Sequence, residues 1–524
     1  MRQRAPDSGM HWSAITGLGR VIQRSSQLWP ERMALVLPGS ESTFSDVRSR
    51  AGLLADRMLD LGVRPSARIP LVSGLCEQFF DALFACGLIG AVPVPVNTWL
   101  EDSELAGVLD DCGASIVMCD ADQSARLGPV VGQKIWTFDE EPPDCVFDDD
   151  ASFGTSPTDA LQLYTSGTTG QPKGVVLSST SVTVSALSYA FEKGFEKTDR
   201  LLVSAPAFFS GSIVNVLGAF AAGTCVEFQT GFEPIATLDR LASGDVTILA
   251  AVPTMIYRLV RAAQVVDSPS FGSLRLIIYG GGPMTAELLA DAMEILPCGF
   301  WQGFGLTEAT VSVTALRPSD HRLDRPDLLA SVGRALLHST IAIVDEKGDR
   351  LETGEVGEVV TGGPHVMDRY WRRPLESQQA LEGGWLHTGD LGSIDEEGFL
   401  YLNGRKSSLI VSGGVNIYPN EIEDVLHLHP AVQDCAVIGV ADDEWGEVVV
   451  AAVCVADYKI ATSADAELSE WCRTRLAAHR RPKRYLVLDE LPGTASGKTS
   501  LRELKVLVAD MLSTAPRTQG PARG

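Results

Sequence analysis

The densest chemistry in the chain lies in one run, Leu163-Tyr-Thr-Ser-Gly-Thr-Thr-Gly-Gln-Pro-Lys-Gly-Val175. Gly167, Gly170 and Gly174 stand among the hydroxyls of Thr165, Ser166, Thr168 and Thr169, with Lys173 close behind. Glycine lets successive backbone N–H groups turn towards one anion, hydroxyls donate further hydrogen bonds, and a lysine neutralises charge. A polyphosphate is the ligand suited to all three. A second lysine occurs in Gly493-Thr-Ala-Ser-Gly497-Lys498-Thr499, which looks like a Walker A loop but has only three residues between its glycines, where that motif needs four. From Trp471 to Lys505 there are nine Lys/Arg against three Asp/Glu. In a chain of formal net charge −24, such a local basic excess points to phosphate.

Three acids stand in distinctive settings. Gly303-Phe304-Gly305-Leu306-Thr307-Glu308 offers an aromatic, a hydroxyl and a carboxylate together. Trp385-Leu-His-Thr388-Gly389-Asp390 places a carboxylate after a tight turn. Gly404-Arg405-Lys406 leads on to Gly413, Gly414, Pro419, Glu421 and Glu423. A nucleotide site needs a flat surface for the base, one carboxylate for ribose hydroxyls and another to hold Mg²⁺ against phosphates.

The blocks YTSGTTGQPKG, GFGLTE, HTGD, GRK…GGVNIYPNEIE and RPKRYLVLDELPGTASGKTSLR follow one another in that order. Together they resemble the signature blocks of the adenylate-forming superfamily: acyl- and aryl-CoA synthetases, peptide-synthetase adenylation domains and luciferases. The resemblance extends over roughly residues 15 to 505. It implies that Thr165, Ser166, Gly167, Thr168, Thr169, Gly170 and Lys173 orient the phosphates of ATP. Gly280, Gly281, Gly282, Phe304 and Gly305 would bracket adenine, with Phe304 standing where Tyr is commoner. Thr307 would touch the α-phosphate region, Glu308 would hold Mg²⁺, Asp390 would grip the ribose, and Arg405 would contact ribose or phosphate. Lys498 matches the lysine that bridges substrate carboxylate and α-phosphate. The implied reaction has two steps: a carboxylate attacks ATP·Mg²⁺ to give acyl-adenylate and pyrophosphate, then a thiol takes the acyl group and AMP leaves. In the family a small C-terminal domain rotates between the steps, presenting the lysine first and then a glycine-rich block, here Gly413-Gly414. Ser407 stands at the hinge position, where many relatives have Asp or Lys.

Residues 206–216, which the resemblance aligns with the acyl pocket, contain no charge. A buried substrate ammonium would have no anionic partner there, so an α-amino acid is disfavoured and a fatty, alicyclic or aromatic acid is expected. Phe208, Phe209, Val216, Tyr279, Gly303 and Leu306 are the expected walls. Many aryl and fatty-acid relatives have His where Phe209 stands. Free coenzyme A is the expected acceptor, with the phosphopantetheine of a separate carrier protein as the alternative.

The elements that must position these residues are legible in outline. At 524 residues the chain exceeds one simple core, and 45% hydrophobic with 21% charged residues is ordinary for a globular protein. Helical patterns alternate with short apolar runs such as Arg68–Val72, Ser115–Met118 and Leu201–Ser204, which predicts α/β layers around mostly parallel sheets. Thr43 is placed to cap a helix carrying Val47, Ala51, Leu54, Met58 and Leu61 that stops at Gly62. Residues 137–159 read as a surface loop. From about residue 340 hairpin patterns appear, expected as a small β-barrel-like part. The expected domains are therefore a large N-terminal α/β domain over 1–403, a small mobile α+β domain over 404–512 and a disordered tail over 513–524.

The acidic balance argues against nucleic acid or an anionic membrane as partner. Phe79–Val96 is the most apolar stretch, but Asp81, Pro93 and Pro95 make it a buried helix and strand rather than a membrane span. The N-terminal residues MRQRAPDSGMHW lack the apolar core of a secretory signal, and the ten scattered cysteines read as reduced thiols, so a cytoplasmic enzyme is expected.

Overall fold

A computed structural model describes residues 17–129, 132–138, 140, 158–165, 172–266, 270–282, 284–442, 445–455, 464–493 and 499–514. The chain divides into two compact units. One comprises Met1–Ala342, Val360–Thr388 and Asp395–Leu400; the other comprises Ile343–Val359, Gly389–Ile394 and Tyr401–Gly524. The second unit thus includes two short segments that precede residue 404 in the chain.

The large unit is built on a nine-stranded sheet. In spatial order its strands are Arg334–Ala335, Thr314–Leu316, Gly299–Phe304, Leu276–Gly280, Ile248–Ala251, Arg200–Val203, Cys225–Phe228, Met33–Leu37 and Ser40–Thr43. From Gly299–Phe304 through to Met33–Leu37 every pairing is parallel, and the flanking pairs are antiparallel. Side chains alternate across a strand, so each parallel strand feeds two cores. Along Leu276–Gly280, Leu276 and Ile278 enter the larger core, whereas Ile277 and Tyr279 enter a second one with Leu249, Leu289 and Phe300. A smaller parallel sheet runs Val92–Pro95, Arg68–Val72, Ile116–Cys119, Lys134–Thr137.

Helix Phe44–Asp60 begins where capping chemistry requires. Thr43 Oγ1 accepts from the Asp46 N–H at 3.1 Å, and the Asp46 carboxylate accepts from the Thr43 N–H at 2.9 Å. Val47, Ala51 and Met58 face the core, and Gly62 follows with φ +86°. The apolar stretch after Cys76 is a helix, Glu77–Ile89, followed by the strand Val92–Pro95. No described helix is long and apolar enough to cross a membrane. Residues 141–157 of the expected surface loop lie outside the described residues.

The hairpin patterns beyond residue 340 become the strands Thr340–Val344, Gly357–Gly362, Leu386–Ile394 and Leu400–Arg405 of one four-stranded sheet. In the C-terminal unit, Val415–Ile417, Ile410–Ser412, Gly446–Val455 and Val432–Asp442 pair in that order, and Arg484–Leu488 joins Gly446–Val455 in parallel. Helices Pro419–His427, Ala464–Arg475 and Leu501–Thr514 belong to this unit. The last helix includes Ser513 and Thr514, two residues of the segment expected as a tail, and 515–524 lie outside the described residues. The nine described cysteines are free thiols.

Candidate active site

Strands Asp159–Thr165 and Lys173–Ser178 form an antiparallel hairpin whose closing pair is Thr165 opposite Lys173. Ser166, Gly167, Thr168, Thr169 and Gly170 lie between them, outside the described residues. The base of the hairpin is held by a buried carboxylate. Asp159 accepts from Arg68 at 2.5 Å and from Arg369 at 2.8 and 3.0 Å, and the Arg68 guanidinium lies 3.7 Å from the centre of the Trp371 ring. A buried acid with two cationic partners resists the loss of either, because an unpaired buried charge is costly.

The third strand of this sheet, Arg369–Tyr370, pairs Tyr370 with Val175. Lys173 is two residues from Val175 and therefore on the same face, beside the tyrosine. Its ammonium lies 5.0 Å from the Tyr370 ring centre, and the Tyr370 hydroxyl donates to Glu308 Oε1 at 2.8 Å. Burial, and then the Glu308 charge, push the Tyr370 phenol up, so it remains a protonated donor. The Met367 N–H bonds the Glu308 carbonyl at 2.7 Å, fixing the acid's backbone. Lysine, phenol and carboxylate thus form one continuous array. The sequence singled out its two ends and missed Tyr370, whose only signal is its place in Arg369–Trp371, remote from every glycine-rich block.

Glu308 sits on a strained turn. Strand Gly299–Phe304 ends at Gly305, where a Cβ would stand 1.8 Å from the Val311 carbonyl oxygen, so only glycine fits. After the short helix Thr307–Ala309, Thr310 and Val311 both adopt left-handed backbone, φ +48° and +82°. Such conformations cost about 1–3 kcal/mol each in non-glycine residues, and a β-branched valine is especially ill-suited. The turn is held by Thr310 Oγ1 donating to the His365 carbonyl at 2.7 Å and by the Val311 N–H bonding the Leu306 carbonyl at 3.1 Å. Thr307 Oγ1 meets Ser210 Oγ at 3.5 Å. Gly280 pairs with Gly303 across adjacent parallel strands, and Gly281 turns with φ +80°. The structure therefore brings Gly280–Gly282 and Gly303–Glu308 to the carboxyl ends of neighbouring parallel strands, where open α/β sheets bind ligands.

The expected acyl walls separate into two groups. Phe208 and Phe209 stack edge-to-face at 5.0 Å, and Trp99, half-exposed, meets them at 5.8 and 5.6 Å. Phe209 is the N-cap of helix Ser210–Ala222, so this aromatic corner adjoins Ser210 and Thr307. Leu306 packs against the same core, whereas Val216 is wholly buried within it. Tyr279 faces the opposite side of the sheet: it is 2% exposed, in the second core, with its hydroxyl 3.0 Å from His321 Nε2. Tyr279 and Val216 are thus core residues in this structure. Trp99, absent from the sequence-based set, lies in a segment with no motif.

In the C-terminal unit, Arg405 Nε donates to Asp390 Oδ1 at 2.9 Å, with the Arg405 side chain 58% and the Asp390 side chain 9% exposed. Beside them, Glu358 accepts from Lys406 and from the Gly389 N–H, each at 3.2 Å. Ser407 lies in the short helix Lys406–Ser408. Gly413 and Gly414, φ +58° and +80°, are the two-residue turn between the paired strand ends Ser412 and Val415, a conformation that favours glycine twice. Lys498 lies outside the described residues; its flanks Gly493 and Thr499 pair with each other. The basic tract is partly committed locally. Arg480 pairs with Glu421 at 2.7 Å, Arg473 pairs with Glu470 at 2.5 Å, and Arg475 stacks on Trp471 at 3.4 Å.

No group of three or more metal-ligating side chains occurs among the described residues. Mg²⁺ needs no such group, since it is commonly held by one or two carboxylates plus substrate phosphates. Glu308, oriented by Tyr370 beside Lys173, fits that requirement.

A family model described as AMP-binding enzyme matches residues 22–371, and one described as AMP-binding enzyme C-terminal domain matches residues 421–498. A feruloyl-CoA synthase of Amycolatopsis sp is 34% identical, with the match covering 93% of this chain and 98% of its own. A fatty acid–[acyl-carrier-protein] ligase of Streptomyces coeruleorubidus is 30% identical, covering 95% and 97%. The o-succinylbenzoate CoA synthetase of Bacillus subtilis, solved with its acyl-adenylate intermediate, matches with TM-score 0.82 at 32% identity, covering 93% of this chain and 97% of that one. The same enzyme has been solved with ATP and a magnesium ion, with TM-score 0.80 at 31% identity, covering 91% and 98%. This chain belongs to the AMP-binding enzymes, as an acyl- or aryl-CoA synthetase of the adenylate-forming superfamily.

Proposed function

We propose that the chain activates an apolar carboxylic acid, fatty, alicyclic or aromatic, with ATP to give an acyl-adenylate, and then transfers the acyl group to free coenzyme A. The observation that carries this reading is the Lys173–Tyr370–Glu308 array at the strand ends that also bear Thr307. Lys173 supplies positive charge at the mouth of the glycine-rich loop. Glu308 holds Mg²⁺, which neutralises phosphate charge when bound, and Tyr370 holds Glu308. Thr307, steadied by Ser210, donates towards the α-phosphate where the acid's oxygen attacks. Asp390, whose own side chain is buried, exchanges its exposed Arg405 partner for ribose hydroxyls that go on satisfying the carboxylate. Lys498 neutralises the charge that builds on the α-phosphate. No side-chain nucleophile is needed; positioning and charge carry the rate. Phe208, Phe209, Leu306 and Trp99 form the apolar entrance for the acid. We place the enzyme in the cytoplasm, where ATP and coenzyme A meet.

Acid-dependent ATP–pyrophosphate exchange tests the first step, and consumption of free coenzyme A tests the second. Lys498→Ala is expected to abolish exchange while leaving thioester formation from supplied acyl-adenylate largely intact; full exchange in that variant would refute the role. An acyl-adenylate that persists in coenzyme A but moves to a phosphopantetheinyl carrier would replace the acceptor.

A further inference from the structure

Helix Asp102–Cys112 closes at Gly113, whose φ of +72° is the left-handed stop that glycine permits. The carbonyls of Asp110 and Asp111, in its last turn, need partners from outside the helix. The segment Trp371–Arg373 supplies them. The Trp371 indole N–H donates to the Asp111 carbonyl at 3.1 Å, and Arg372 Nη1 reaches the Asp110 carbonyl at 3.5 Å. The Asp111 side chain, 16% exposed, adds one bond on each carboxylate oxygen. Oδ1 pairs with Arg373 Nη2 at 3.2 Å, and Oδ2 accepts from the Tyr164 hydroxyl at 2.8 Å. Burial pushes the Tyr164 phenol well up, so it stays a protonated donor.

These two donors belong to the two arms of the site. Tyr164 precedes Thr165 at the mouth of the glycine-rich loop, on strand Asp159–Thr165. Arg373 lies three residues beyond Tyr370, the phenol that holds Glu308. Strand Lys173–Ser178 runs between the arms. Tyr164 lies opposite Gly174, and the Trp371 N–H bonds the Gly174 carbonyl at 2.6 Å. A Cβ at Gly174 would stand 3.2 Å from both the Tyr164 ring and Trp371 Cβ, so the two side chains close over the glycine. Alternation along the strands puts Lys173 and Tyr370 on the other face. Asp111 therefore bears on the face of this sheet opposite the lysine. Arg372 is left-handed, φ +53°, a backbone unfavourable outside glycine. The bonds of Trp371 and Arg373 to Asp111 flank it and hold the turn that leads out of Tyr370.

We propose that Asp111 is a positioning residue for adenylation: its one carboxylate spans the strand that enters the glycine-rich loop and the turn behind Tyr370, and so fixes Lys173 and Glu308 relative to each other. This rests on the acid-activating reading above and deepens it. Asp159 joins the same two outer strands at their starts, through Arg369, and Asp111 joins them at their ends. With a clamp at each end, the sheet holds the lysine and the Tyr370 phenol in one register. A displacement of about 1 Å in such a site can cost about 10²-fold in rate even when its cause lies away from the chemistry.

The test is acid-dependent ATP–pyrophosphate exchange titrated with Mg²⁺. Asp111→Asn keeps the shape and one acceptor but turns an N–H₂ group towards the other donor. It is expected to lower kcat by about 10- to 100-fold and to raise half-saturating Mg²⁺ by about three- to tenfold, with KM for the acid within about twofold. A half-saturating concentration does not depend on how much of the protein is folded, so a merely structural aspartate would leave it unchanged. Two milder variants separate the arms. Arg373→Gln is expected to raise half-saturating Mg²⁺ by a similar factor and to add little to it in Tyr370→Phe, because its effect passes through that phenol. Tyr164→Phe is expected to lower kcat with the Mg²⁺ titration unmoved. An Asp111→Asn enzyme whose Mg²⁺ titration matches wild type overturns the proposal. So does full additivity of Arg373→Gln with Tyr370→Phe, which is readable even where Asp111→Asn fails to fold. A wild type without acid-dependent exchange would instead overturn the underlying enzymatic reading.

Discussion

Lys173 and Lys193 each stand against aromatic rings, one at the end of a hairpin and one inside the core. Around Lys173 the ring is a relay: Tyr370 passes a hydrogen bond on to Glu308, and the lysine lies at the end of a hairpin beside a glycine-rich loop. Around Lys193 the rings are a wall, and among the described residues only Asn215 answers the charge. A cation beside a loop can be resolvated or taken up by a polyanion. A cation inside a core keeps whatever partner the fold or a ligand provides. The first arrangement leaves its charge open to a ligand, and the second commits it to the fold.

The contrast can be tested most severely at Lys173. Lys173→Met is expected to lower kcat for adenylation by about 10²–10³-fold, the scale for removing one positioned electrostatic group, with selectivity among acids unchanged. A full rate in that variant would leave the hairpin lysine without a ligand. Tyr370→Phe cuts the relay while keeping the ring under Lys173 and is expected to cost about tenfold, seen as weaker dependence of the rate on Mg²⁺ concentration. An unchanged Mg²⁺ titration would show that Glu308 needs no such support. The smallest effect concerns pH. The unfolded Lys193 titrates near its ordinary 10.5, and the folded one well below it. Between those values the unfolded chain binds the extra proton, so this group's contribution to stability rises with pH and is lost as pH falls towards the folded value. Urea midpoints of wild type relative to Lys193→Met are expected to move in favour of wild type from pH 7 to 9.5; parallel profiles would mean that the buried amine is not depressed.

The same contrast explains what could be read from the sequence. Lys173, Glu308, Asp390 and the Gly413-Gly414 turn lie in compact runs whose composition announces backbone geometry, and they fall on a hairpin end, a strained turn, a strand and a tight turn. Parallel layers and the Thr43 cap follow from periodicity and local hydrogen bonding. Tyr370, Trp99, Trp301 and Lys193 come from four unrelated stretches and meet only through the sheet and its helices. Residues 206–216 contain no charge of their own, and the charge that reaches their helix, Lys193 at Asn215, enters from another helix. Tyr279 pointed the wrong way for a related reason: at period two, one residue's offset decides which face of the strand it serves.

The left-handed pair Thr310–Val311 sets durability against turnover. A drift to glycine there would relax the chain and be rewarded wherever selection sees only heat resistance. It would also free the segment that follows Glu308, whose carboxylate Tyr370 holds by one hydrogen bond. A variant stabilised at this turn by glycine is therefore expected to turn over more slowly.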